Sequence, residues 1–176
     1  LSAAITPEAG KFYNITLNYD PGYTEVSEGN YTVNNEKGLK NLAELVNNGA
    51  TDINITLTGD INLTGEWTPI GNYEQKYTGT FDGNGKTITG LTFNQQETNN
   101  VGLIGRLGEN GIVRDVKLDK VNIKANNNVG GIVGGNNGGS IIGCSVSGDI
   151  SGVLQVGGVV GYLGIGNNVV TACYHE

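Results

Sequence analysis

The phrase Val101-Gly102-Leu103-Ile104-Gly105 returns as Val129-Gly130-Gly131-Ile132-Val133-Gly134 and again as Val156-Gly157-Gly158-Val159-Val160-Gly161. Successive starts lie 28 and 27 residues apart (129 − 101 and 156 − 129). A recurrence of this length predicts one structural unit stacked on copies of itself, each burying the face of the next. It commits most of the chain to architecture and leaves few residues free for chemistry.

Composition agrees. Hydrophobic residues make up 37% of the 176 and glycines number 30, so the chain is turn-rich. Its apolar residues are nevertheless patterned, which a disordered tail would not require. Ten Lys and Arg against 17 Asp and Glu leave a net charge of −7. That excludes a nucleic-acid partner, because neutralising phosphates needs a basic face. No apolar run approaches about 18 residues, so no segment reads as a membrane-spanning helix. The chain has no Met. It opens Leu1-Ser2-Ala3-Ala4 without the regions of a signal peptide, and stops at Tyr174-His175-Glu176 within what reads as a repeat. It is expected to be a piece of something longer.

Residues 1–30 read as a lead-in segment or the tail of a preceding module. An alternating strand from Phe12 to Tyr19 ends at the turn Asp20-Pro21-Gly22. Residues 31–176 read as the solenoid, truncated at its C terminus. After a short strand at Tyr31-Thr32-Val33, Leu39, Leu42, Ala43 and Val46 share one face, which predicts a helix over about 38–47. Asn34 or Asn35 caps its start, and Asn47-Asn48-Gly49 ends it. The period then changes to two. Ile53, Ile55, Leu57, Ile61 and Leu63 point inward.

A ladder follows. Ile88, Leu91 and Phe93 match Val113, Val116 and Leu118 at an offset of 25. These match Ile141, Cys144 and Val146 at 28, then Val170, Cys173 and His175 at 29. Three positions kept in register predict coils stacked at the parallel-strand spacing of about 4.8 Å. Glycines supply the bends, through positive φ or close backbone approach. Asn-rich turns at Asn126-Asn127-Asn128, Asn136-Asn137 and Asn167-Asn168 tolerate left-handed backbone and offer an Asn ladder. A β-sandwich needs no such register, and a propeller blade needs about 40 residues or more. The expected fold is all-β, a parallel β-helix of about 25–29 residues per coil.

Ile61-Asn62-Leu63, Glu66-Trp67-Thr68-Pro69-Ile70-Gly71 and Gly79-Thr80-Phe81-Asp82-Gly83-Asn84-Gly85-Lys86-Thr87-Ile88, with the Val-Gly-Gly phrase, resemble bacterial cell-surface, adhesin-like proteins of Bacteroides type that carry GLUG-motif repeats. The similarity runs from about Tyr31 to the end. It implies a right-handed β-helix with a helix over its N-terminal end, exported to the cell surface. It implies no catalytic residues and no cofactor.

Candidate chemistry is sparse. Cys144 and Cys173 share a ladder position. Aligned side chains about 4.8 Å apart favour two free thiols over a disulfide, which wants Cβ atoms about 3.5–4.5 Å apart. The single histidine, His175, can build neither a zinc site nor a catalytic triad. Asp82-Gly83-Asn84-Gly85-Lys86 faintly resembles the start of a calcium loop, but Lys86 and Phe93 stand where ligands are needed, so it reads as a turn. A polysaccharide lyase or hydrolase needs acids converging from neighbouring coils. Asp115 and Asp119 share a coil, yet Gly143 and Ser147 occupy the matching positions one coil on, and nothing in register pairs with Arg106 or Arg114. The four Asn-x-Thr triplets at Asn14, Asn30, Asn54 and Asn62 read as strand composition rather than glycan acceptors. Thr56/Thr58 and Thr87/Thr89 form Thr-x-Thr pairs that later coils do not continue, which excludes an ice-binding face. Trp67 is expected to pack against the first coils. Tyr73 and Tyr77, in a polar insertion, are the candidates for a binding surface.

The reading is a non-catalytic extracellular adhesion, binding or stalk module that contacts a glycan or a host protein. The alternative is a polysaccharide-active β-helix enzyme. A bare final coil is expected to favour end-to-end self-association.

Overall fold

The computed structural model describes residue 10 and residues 19–176. The strand expected from Phe12 lies outside the described residues. The rest is a parallel β-solenoid with one helix.

Its longest sheet stacks Tyr23–Ser27, Asn30–Val33, Asn54–Leu57, Thr80–Asp82, Ile112–Arg114, Ser140–Ile142 and Val169–Thr171. The first pair is antiparallel and every later pair parallel. One inward column runs Tyr31, Ile55, Phe81, Val113, Ile141, Val170, with steps of 24, 26, 32, 28 and 29 residues. Six rungs make five turns. A second sheet carries the column Ile61, Ile88, Leu118, Val146, His175. A third stacks Ile104–Leu107, Val133–Asn136 and Val160–Leu163, and a short pair joins Asn127–Gly130 to Leu154–Gly157.

The ladder expected from the sequence holds from Val113 onward and fails at its first step. Ile88 lies beside Leu118 rather than Val113, and Phe93 beside Ile123. Phe81 is the residue beneath Val113. Seven residues separate Phe81 from Ile88, but five separate Val113 from Leu118. The extra pair is absorbed by the turn after Phe81, where Asn84 (φ 49°) and Gly85 (φ 70°) are left-handed. The Asp82 Oδ1 accepts from the Asn84 N–H at 2.7 Å and holds that turn.

The helix spans Glu36–Asn47. Asn35 caps it, its Oδ1 accepting from the Gly38 N–H at 2.9 Å, as Asn at this position does. Leu39, Leu42, Ala43 and Val46 are buried and join the solenoid core. Lys40 donates to the Thr64 carbonyl and Asn47 to that of Pro69, which lays the helix across the first coils. Asn30 and Asn54, both in Asn-x-Thr triplets, bond to each other at 3.0 Å in the stack.

The glycines of the thrice-repeated phrase answer a question the sequence left open. None has a positive φ. They are required because backbone passes within contact distance. A Cβ on Gly134 would stand 2.5 Å from the Val101 nitrogen, and one on Gly161 would stand 2.3 Å from the Val129 nitrogen.

Candidate functional site

The loop from Gly71 to Tyr77 interrupts the regular strands of the solenoid, and both its ends are pinned. The Ile70 N–H donates to the Leu103 carbonyl, and the Gly105 N–H donates back to that of Ile70. On the far side the Tyr77 N–H donates to the Arg106 carbonyl at 2.9 Å. Within the loop, Asn72 Oδ1 accepts from the N–H groups of Glu74 and Gln75, both at 2.9 Å, and the Asn72 N–H donates to the Gln75 carbonyl. Asn is suited to this role because its side chain mimics a backbone turn. The loop thus holds Tyr73 at its tip, 72% exposed.

The two candidate tyrosines part company here. Tyr77 is 0% exposed, and its hydroxyl donates to the Ile53 carbonyl at 2.9 Å. Burial pushes its phenol well above the ordinary value. Tyr77 is therefore a core residue with no face for a ligand, which corrects the expectation that it belongs to a binding surface. Alternation explains it: the residue that closes the loop returns to an inward position. Trp67 is buried as expected, its indole N–H donating to the Leu103 carbonyl at 3.2 Å.

Beside Tyr73 lies Arg106, on the strand Ile104–Leu107. Its guanidinium carbon is 5.6 Å from the Tyr73 ring centroid, and the Lys76 ammonium is 5.9 Å from the same centroid. Arg106 is only 7% exposed. It fits because its partner one coil on is Gly135, where a Cβ would stand 2.7 Å from Nη1. Nη1 donates to the Asn100 Oδ1 at 3.1 Å, and the same oxygen accepts from Asn128 Nδ2 at 2.8 Å. That second bond is one rung of the expected Asn ladder. Asn100, Asn128 and Gln155 occupy one corner in successive coils, with φ of 61°, 56° and 56°. Sequence reasoning named Arg106 but not its burial, which depends on Gly135 lying beneath it.

The other candidates resolve simply. Arg114 pairs with the Asp82 Oδ2 at 2.7 and 3.0 Å, and the two are register partners. This corrects the expectation that nothing in register meets Arg114; the misplaced first step of the ladder concealed it. Asp82, with one oxygen in its turn and one on Arg114, is a structural residue. Asp119 accepts from the Ser147 hydroxyl at 2.9 Å, again across neighbouring coils. Cys144 and Cys173 are free thiols. Burial pushes the Cys144 thiol up to about 12. His175 is exposed, with Nε2 3.1 Å from the Gly148 carbonyl. No group of three or more His, Cys, Asp or Glu is placed to hold a metal among the described residues.

A cleft of about 350 Å³ separates the helix from the first coils, lined by Lys40, Glu44, Asn47, Glu66 and Thr68 among others. Two of its charged groups, Lys40 and Glu66, are engaged. Lys40 pairs with Glu36 at 2.6 Å and holds that carboxyl below the usual range. Glu66 accepts from the Asn94 N–H and from Gln95 Nε2.

These features define a glycine-rich parallel β-solenoid whose outer face carries a braced aromatic–cationic cluster at Tyr73. Residues 125–151 match the GLUG motif. Over 148 residues the chain is 35% identical to halomucin of Haloquadratum walsbyi, a match covering 76% of this chain and 2% of that protein. Over 98 residues it is 34% identical to a protein of Evansella cellulosilytica named as a Gly-rich membrane protein, covering 52% of this chain and 11% of the relative. The chain therefore spans a small fraction of each relative's length. Neither is a Bacteroides-type adhesin by name, so the resemblance holds at the level of the GLUG motif and the solenoid. No solved structure matches significantly. No helix among the described residues is long and apolar enough to cross a membrane.

Proposed function

We propose that this chain is a non-catalytic module of a large extracellular or cell-surface protein, in which the solenoid sets a rigid spacing and the face around Tyr73 binds a glycan. The observation that carries the reading is Tyr73 itself, an exposed aromatic ring on a loop tied at both ends to the strand Ile104–Leu107. Aromatic rings offer large contact area at low entropic cost, and a braced loop reduces that cost further. The names of the two relatives, a halomucin and a Gly-rich membrane protein, support a surface setting. The engagement of Asp82 by Arg114 and of Asp119 by Ser147 supports a structural rather than catalytic use of these acids.

The test is titration of the 176-residue chain with neutral and acidic oligosaccharides, followed by NMR. Binding that Tyr73→Ala removes is the expected result. Absence of binding across the set reduces the module to a spacer. Appearance of new reducing ends or unsaturated sugars would favour the polysaccharide-active alternative.

A further inference from the structure

Arg106 is the one strongly buried cation among the described residues, and none of their carboxylates pairs with it. The ion pairs found there join Lys40 to Glu36 and Arg114 to Asp82. A guanidinium taken out of water is unfavourable unless an anion and hydrogen-bond acceptors replace its solvent. Arg106 has little of either. Of its five N–H donors, one reaches an acceptor among the described residues, the Asn100 Oδ1. Nε is buried with no partner among the described residues. The ring of Tyr73 at 5.6 Å supplies a cation–π attraction, which does not replace a counter-ion.

The surroundings look built to keep this charge in place. Gly135 leaves the space that the guanidinium fills. Asn100 is itself fixed by Asn128 from the next coil, so the Nη1 acceptor cannot swing away. Lys76 brings a second positive charge to the same aromatic ring. Glu74 lies on the same loop but makes no ion pair with either cation among the described residues. Two cations and an exposed ring thus gather on a chain whose net charge is −7.

We propose that Arg106, Lys76 and Tyr73 form a site for the carboxylate of an acidic sugar residue within a glycan. The proposal rests on the glycan-binding reading above and names its ligand class. A guanidinium is a planar fork that matches a carboxylate with two parallel hydrogen bonds, which a lysine alone does not. The Tyr73 side chain beside it, 72% exposed, offers apolar surface to the C–H groups of the same sugar. The acidic remainder of the chain repels a densely charged polymer, so the site suits an isolated or terminal acid rather than a continuous polyanion.

The experiment titrates the full chain with three forms of one oligosaccharide by calorimetry: the glucuronate form, its carboxyl-reduced neutral counterpart, and a sulfated neutral counterpart. The glucuronate form should bind about tenfold more tightly than the reduced form, the scale of a charge-assisted hydrogen bond. The advantage should shrink as salt is raised. Arg106→Gln should abolish the advantage, and Lys76→Gln should reduce it. Lys76 lies exposed on the outer loop, so the loss of part of the acidic advantage in Lys76→Gln decides the matter even if Arg106→Gln fails to fold. Equal binding of the acidic and reduced forms would overturn this site while leaving glycan binding intact. Preference for the sulfated form would overturn the carboxylate assignment. No binding of any form, at any salt, would overturn the glycan reading together with it.

Discussion

Replacing Gly134 with alanine should destabilise the solenoid more than replacing a glycine that has a left-handed backbone and open space. The Cβ of Gly134→Ala would lie 2.5 Å from the Val101 nitrogen, 2.6 Å from the Asn100 carbonyl carbon and 2.8 Å from the Asn128 carbonyl oxygen. All three atoms are backbone, held by the Val101–Asn128 and Gly130–Val101 hydrogen bonds between coils. No rotamer change relieves the overlap, so the coils must part. Overpacking with mobile neighbours costs about 1–3 kcal/mol, and rigid neighbours place this substitution at the upper end, about 3 kcal/mol. Gly65→Ala is the control. Its φ is +72° and nothing lies within 4 Å, so it pays only the left-handed backbone penalty of about 1–2 kcal/mol. Urea unfolding followed by circular dichroism gives both values. Because repeat folds open locally, amide exchange at Val101 and Val129 should be read alongside. If Gly134→Ala proves no more destabilising than Gly65→Ala, close approach is not the reason for the repeated glycines.

Further outcomes are expected. Tyr77→Phe should cost about 1–3 kcal/mol, since it leaves the Ile53 carbonyl buried without its donor. Because burial raises the native Tyr77 phenol, the unfolded state releases this proton first. Stability should then fall above the ordinary tyrosine value of about 10, with Tyr77 contributing up to about 1.4 kcal/mol per pH unit, and Tyr77→Phe should remove that contribution in urea melts while leaving the one from the buried Cys144 thiol. Mass measurement without reductant should show both thiols intact, and Cys144 should resist alkylation near neutral pH until the fold opens, because burial holds it protonated up to about 12. EDTA should leave the melting temperature unchanged, and Asp82→Ala should cost about 1 kcal/mol through its turn bond and its half-exposed pair with Arg114. A marked loss on EDTA treatment would reopen the calcium reading of that loop.

Most of the architecture was legible in the residues. The spacing of the Val-Gly-Gly phrase, the alternation from Ile53 to Leu63 and the helical face of Leu39, Leu42, Ala43 and Val46 each reflect a local period, and local periods are written in sequence. The column Val113, Ile141, Val170 was readable for the same reason.

What escaped the sequence depends on what lies one coil away. Two extra residues in the turn after Phe81 shift the register of that coil, and their effect is visible only where Phe81 meets Val113. That shift is what joins Asp82 to Arg114. Tyr73 and Tyr77 read alike as aromatic residues of a polar insertion, but the loop exposes one and returns the other to the core. Arg106 became a buried cation only because Gly135 lies beneath it and Asn100 holds it. Periodicity determined that coils would stack; which side chains then face one another, and which are left without a partner, was decided by the stack itself.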